Sequence, residues 1–197
     1  MLSIALTLAL GAAPTGAKGP AEPFALTDWN HRRLQTNRVA MLVLGTWAVA
    51  NIGVGAVGFG LERDERVRWL HLGNASWNVV NLALAIAGLA ADWRKDPASF
   101  DAKQSLEASN TQEKILLVNA GLDVAYLAAG AFLWQRGEAT ADRSLLGFGQ
   151  ALLLQGGFLL LFDTMLAIVN GRLTHELMLG VEVTPAGGVG ARLGARW

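Results

Sequence analysis

Four apolar stretches, each closed off by polar or charged residues, set the pattern of the chain: Val39 to Leu61, Trp69 to Ala91, Ile115 to Trp134 and Leu145 to Val169. Each runs to about 20–25 residues, which at ~1.5 Å of rise per helical residue covers a hydrocarbon layer of roughly 30 Å. The pattern predicts an all-α membrane protein, a bundle of four transmembrane helices occupying residues 39–171. The links ERDERVR (62–68) and QRGEATADR (135–143) are short and charged, which makes the first and second spans antiparallel neighbours and likewise the third and fourth. The segment from Asp92 to Lys114 is longer and polar. Trp69, Trp93 and Trp134 stand near span ends, as an interfacial aromatic belt requires.

Outside the spans the pattern changes. Residues 1–17 (MLSIALTLALGAAPTGA) pair a short apolar run with a small-x-small ending; the run is too short to cross a bilayer and reads as a signal peptide, although no positive residue precedes it. Residues 18–38 begin irregularly around Pro20 and Pro23 and continue as TDWNHRRLQTNR (27–38). The latter reads as an interfacial amphipathic helix capped by Thr27 or Asp28. In the tail, 172–197, the segments LGVEV (179–183) and VGARLGARW (189–197) alternate on either side of Pro185-Ala186-Gly187-Gly188, a β-hairpin signal.

Polar residues inside spans are expensive and therefore informative. The first span carries Asn51 on a face with Trp47, Gly55 and Gly58; Gly53, Gly55, Gly58 and Gly60 make this a close-packing helix. In the second span His71, Asn74, Asn78 and Asn81 fall at i, i+3, i+7 and i+10, within one sector of about 80°. Asn119, Asp123 and Tyr126 share a face of the third span, and the fourth supplies Gln155, Asp163 and Asn170. By depth, Asn51, Asn78, Asn81, Asp123 and Gln155 all lie within about 3 Å of their span centres, so every helix brings a polar group to one central layer. An ionised Asp123 at that depth would cost roughly 2.5–3.5 kcal/mol, so it is protonated or solvated there by amides and water. Asp163 lies some six residues, or about 9 Å, from that layer.

Two readings of the layer stay open. Asn, Gln and a neutral Asp can interlock across helices as packing glue, or they can line a cavity whose central Asp titrates or holds a small ligand. The candidate polar core is Asn51, His71, Asn74, Trp77, Asn78, Asn81, Asn119, Asp123, Gln155 and Asp163.

Composition agrees with the pattern. The 197 residues are 52% hydrophobic and only 16% charged, with a mean hydropathy of +0.34, too apolar for an ordinary soluble domain. Sixteen Lys and Arg balance sixteen Asp and Glu without a basic block, which argues against a nucleic-acid partner. The lipid bilayer is the expected partner, with a homo-oligomer or another membrane protein as further options. Cysteine is absent, removing disulfides and thiolate chemistry. His71 and His175 belong near opposite membrane faces; His31 and His175, with Asp28 and Glu176, offer a thin N/O metal set, but without ligand spacing they read as ordinary interfacial residues and no metal site is assigned. No nucleophile elbow, P-loop, zinc-protease or haem-attachment motif occurs, and GVGAVGFG (53–60) lies inside a span. No cofactor is expected and no enzyme is recognised.

The hairpins also relate to each other. MLVLGTWAVANIGVGAV (41–57) aligns over LLVNAGLDVAYLAAGAF (116–132), and LHLGNA (70–75) over LGFGQA (146–151) after one position of slippage. This is either a diverged tandem repeat, with parallel hairpins related by an axis along the membrane normal, or the chance similarity of residue-poor spans. The first hairpin, MLVLGTWAVANIGVGAVGF (41–59) followed by WLHLGNASWNVVNLALA (69–85), resembles an uncharacterised family of small bacterial four-helix integral membrane proteins, a domain of unknown function. The distinctive element is N-x-x-W-N-x-x-N at Asn74, Trp77, Asn78 and Asn81; the resemblance implies a multi-pass protein of a bacterial inner membrane and no particular activity.

Orientation is contested within the sequence. A cleaved signal places both mature termini outside, whereas only Arg63, Arg66, Arg68, Arg136 and Arg143 would then lie in cytoplasmic loops, and the positive-inside rule favours the reverse. The signal-based orientation is preferred. The expected function is a non-enzymatic bundle with a structural, interaction or small-ligand-binding role; the alternative is a small carrier or proton-linked transporter using Asp123 and the Asn stripe. An intramembrane enzyme pairing Asp123 with Asp163 is disfavoured by their separation in depth.

Overall fold

The computed structural model describes residues 24–183, which form four long helices: α1 (Leu26–Leu61), α2 (Glu65–Trp93), α3 (Ala102–Thr140) and α4 (Arg143–Val183), with a single 3-10 turn at Pro97–Ser99. All four are long and apolar enough to cross a membrane. The radial distribution supports that solvent. Asn74, Asn78, Asn81, Asp123, Gln155, Asp163 and Asn170 are buried, while Val54, Val57, Val79, Leu84, Val118 and Leu161 face outward. A water-soluble bundle has the opposite arrangement, because burying apolar surface is what holds it together.

Local chemistry sets the helix ends. Asp64 opens α2 by accepting from Val67 N at 3.2 Å. Asp101 and Gln104 open α3 with a reciprocal capping box, 2.7 and 3.1 Å, satisfying amides that lack intrahelical partners. The α3–α4 turn places Ala141 in the left-handed region, φ 54° and ψ 29°, and Asp142 then accepts from the backbone of Ser144 and Leu145 at 2.9 and 3.2 Å. A Cβ is strained at that φ. Ala141→Gly is therefore expected to raise stability by up to about 1 kcal/mol, the relief of strain exceeding the flexibility glycine adds to the unfolded chain; unfolding in mixed micelles checks it, and an unchanged or lower midpoint refutes it.

α1 packs along α2 and α3 along α4, and the two hairpins join mainly through α2 against α4. Close approach depends on missing side chains: a Cβ on Gly149 would stand 2.6 Å from Trp134 N and 2.8 Å from Gly130 O, and one on Gly55 would stand 2.7 Å from the Ala75 Cβ. The glycine face of α1 is narrower than the sequence suggests, since Gly53 and Gly60 look into open space. α2 and α3 do not pack closely, and only side chains bridge that gap.

Three expectations change. Residues 27–38 are not a separate interfacial helix: α1 is continuous from Leu26, with Ala25 rather than Thr27 or Asp28 at the N-cap position and no side-chain cap. Trp29, Asn30, Arg33, Leu34 and Asn37 are buried because the neighbouring helices also continue beyond their apolar spans. The polar stretch before the third span is mostly the first three turns of α3. There Ser105 accepts from Asn30 at 2.9 Å, and Asn37 and Gln112 exchange amide hydrogen bonds. The strand expected at 179–183 is helical. Asn170, Thr174 and Leu177 are buried at i, i+4 and i+7, Trp29 Nε1 donates to Leu173 O at 2.8 Å, and Arg32 pairs with Glu176 at 2.5 Å. That helical period and its partners on α1 outweigh a short alternating pattern, so the hairpin loses its first strand. Its second strand, 189–197, lies outside the described residues, as do the expected signal 1–17 and residues 18–23.

Candidate functional site

The central polar residues divide into two groups with different chemistry. The first is interlocked. Asn74 donates to Asn51 Oδ1 at 2.8 Å, Asn51 donates back to Trp47 O at 2.8 Å, and Gln155 donates to Asn74 Oδ1. Trp47 Nε1 donates to Gln155 Oε1 at 3.1 Å, and the Trp47 ring stacks on Phe158 with centroids 3.9 Å apart. Asn78 donates to Asn74 O at 2.8 Å, and Asn81 donates to Asn78 Oδ1 at 3.3 Å. These amides tie α1, α2 and α4 together. Each finds its donors and acceptors among its neighbours, as a polar network in hydrocarbon must.

The second group does not close on itself. Between α2 and α3 lies a cavity of about 380 Å³, lined by Trp77 and Asn81 from α2, by Asn119, Asp123 and Tyr126 from α3, and by Asp163 from α4, with Met41 and Leu44 of α1 at its back. On this lining Trp77 meets Tyr126 edge-to-face, centroids 4.7 Å apart. The Asp123 and Asp163 carboxyls interact with each other, and the Asn119 amide reaches Asp163. Asp123 is 2% exposed, yet its Oδ2 has no hydrogen-bond partner. A buried acceptor without a hydrogen-bond donor is costly.

The meeting of Asp123 and Asp163 corrects the expectation that depth separates them. Gly156, not Asp163, faces the Asp123 carbonyl across the α3–α4 pair, so counting backbone positions does leave the acids at different levels. Side chains on a helix lean toward its N-terminus. In antiparallel α3 and α4 this turns the two carboxyls toward each other.

The sequence candidates are thus distributed. Asn51, Asn74, Asn78 and Gln155 form the interlocked group, while Trp77, Asn119, Asp123 and Asp163 line the cavity; Asn81 belongs to both. His71 joins neither, since its ring packs against Gly58 near the α1–α2 turn and its Nδ1 is buried without a partner. Three contributors were not among the candidates. Tyr126 shares the Asn119–Asp123 face by spacing alone and was discernible; Gln112 sits in what reads as a polar linker; and Phe162, one residue before Asp163, looks like any apolar span residue. No group of three or more His, Cys, Asp or Glu able to hold a metal occurs among the described residues, and Glu176 is paired with Arg32 rather than with His31.

Comparison with curated proteins and with solved structures finds no match. The model of a family of unknown function, DUF6992, matches residues 43–164, which takes in α2, α3 and parts of α1 and α4, with the interlocked amides and every polar residue of the cavity. The match extends well beyond the first hairpin and covers more than half of the chain, so the protein belongs to the DUF6992 family of unknown function.

Proposed function

We propose that the chain is a multi-pass, non-enzymatic membrane protein whose bundle binds a small ligand in the cavity between α2 and α3. The observation that carries this reading is the pair of carboxyls, Asp123 and Asp163, among the residues lining a void of about 380 Å³ with no ion-pair partner among the described residues; the volume is within the range of small-molecule sites. The interlocked amides give the bundle its register, and the cavity stands beside them as a feature that packing does not require. A proton-linked carrier is the second reading, favoured by the paired carboxyls; it uses the same cavity and additionally requires release on the opposite face.

The relation between the hairpins supports the same reading. Asn30 with Ser105 and Asn37 with Gln112 touch at a common separation of 75 residues, the register that aligns 41–57 with 116–132. Contacts between equivalent positions are what a twofold axis along the bundle produces. In that register Asn119 and Asp123 stand where the first hairpin has Leu44 and Ala48, both buried. The polar groups that α3 brings to the cavity thus have apolar counterparts on the equivalent face of α1.

The natural absence of cysteine makes the test clean. Asn119→Cys in the purified chain is expected to react with a small uncharged, membrane-permeant maleimide much faster than Asn78→Cys, whose position is sealed in the amide network. Equal and negligible reaction at both positions refutes the cavity.

A further inference from the structure

The lining of the cavity is specific about charge. Asp123 and Asp163 are the acids facing it, and no Lys, Arg or His lines it; none of the ion pairs among the described residues involves either carboxyl. The other titratable group on the lining is Tyr126 of α3, while α1 and α2 contribute apolar, aromatic and amide side chains. The protein therefore surrounds two adjacent carboxyls with low-dielectric walls and supplies no cation of its own. Carboxylates in such a place must take up protons or a foreign cation.

Size and wall chemistry narrow the cation. A void of about 380 Å³ is an order of magnitude larger than the roughly 30 Å³ of one water, so a bare metal ion would fill little of it. Trp77, Tyr126 and Phe162 present aromatic surface to the same space, which suits an organic cation because ring faces attract ammonium groups over distances up to about 6 Å. The approach is lateral. Val80, Leu84, Ile115 and Leu122 line the cavity and are 47–58% exposed, flanking the gap where α2 and α3 do not pack. In a bilayer that gap opens on acyl chains, a route open to an amphipathic molecule and closed to a strongly hydrated ion.

Resting on the ligand-binding reading, we infer that the cavity takes a small lipophilic organic monocation of the aryl- or alkylammonium kind, held between the Asp123 and Asp163 carboxyls and the Trp77–Tyr126 wall. The cation enters between α2 and α3 and exchanges with a proton on the acid pair. Binding releases that proton, no bond to carbon forms or breaks, and charge balances.

Equilibrium dialysis of radiolabelled phenyltrimethylammonium against the purified full chain in micelles tests this. Saturable one-to-one binding is expected at mildly alkaline pH, weakened at least about tenfold, or by ~1.4 kcal/mol, in either Asp123→Asn or Asp163→Asn. Mildly acidic pH is expected to weaken it similarly, since protons then occupy the acids. Trp77→Ala should weaken it and Trp77→Phe should retain most of it, a rescue that general damage to the bundle would not give. N,N-dimethylaniline, nearly the same shape and uncharged at alkaline pH, should not compete. If it competes equally with wild-type protein, the cavity takes neutral ligands and the cation assignment falls while the binding reading stands. If a divalent metal displaces the cation stoichiometrically, or no saturable binding occurs although Asn119→Cys reacts, the assignment falls alone. If Asn119→Cys is inert, both fall together.

Discussion

Asn74→Leu is expected to destabilise the bundle by about 2–4 kcal/mol, because its side chain serves two others on neighbouring helices, Asn51 and Gln155. Its amide donates to Asn51 at 2.8 Å, its carbonyl accepts from Gln155, and Asn78 bonds its backbone oxygen at 2.8 Å. A leucine is similar in bulk but leaves the Asn51 carbonyl and the Gln155 amide facing hydrocarbon. Each unsatisfied buried group costs about 1–3 kcal/mol, whereas a simple interhelical hydrogen bond in a membrane averages nearer 0.6 kcal/mol. Excess over that smaller figure is the signature of a connected network. Detergent-titrated unfolding of Asn74→Leu and Asn51→Leu measures it, with Asn51 expected to cost less because it has one interhelical partner. Equal and small losses in both would mean that the amides act as independent pairs.

The stripe that contains Asn74 was legible in the sequence, since Asn74, Asn78 and Asn81 at i, i+4 and i+7 share one helical face and all three are buried. The four spans were legible for the same reason, a long apolar run having few other solutions. What the residues did not disclose was how the polar groups partition. Asn51, Asn78, Asn81, Asp123 and Gln155 lie at similar depths, and depth alone predicts one layer. The separation into a closed network and an open cavity follows from α2 packing on α4 while standing away from α3, a tertiary arrangement with no local signature. The pairing of Asp123 with Asp163 was hidden similarly: residue counting places Cα atoms, whereas the carboxyls meet through side-chain lean. The extensions of α1, α3 and α4 beyond their spans were missed because polar residues there read as surface, when buried Asn30 pairs with buried Ser105 and buried Asn37 with half-buried Gln112.

Asp123→Leu is expected to act in the opposite direction, raising stability by about 1–3 kcal/mol while abolishing cation binding. The wild-type carboxyl pays for burial at 2% exposure with one oxygen unpartnered, and insertion of an acid at the centre of a span costs roughly 2.5–3.5 kcal/mol on the gentler scales. Leucine removes that penalty, buries additional apolar surface in the void and relieves Asp163 of an acidic neighbour. Part of the gain is offset because Asp163 and Asn119 remain in an apolar pocket, which is why the estimate stays below the full insertion cost. Residues kept for binding commonly reduce stability, and residues kept for packing do not. Opposite signs for the two substitutions would separate the roles, a packing group at Asn74 and, on the proposed reading, a ligand group at Asp123. A destabilised Asp123→Leu, with losses comparable to Asn74→Leu in the same unfolding assay, would assign Asp123 to the packing network and withdraw the site.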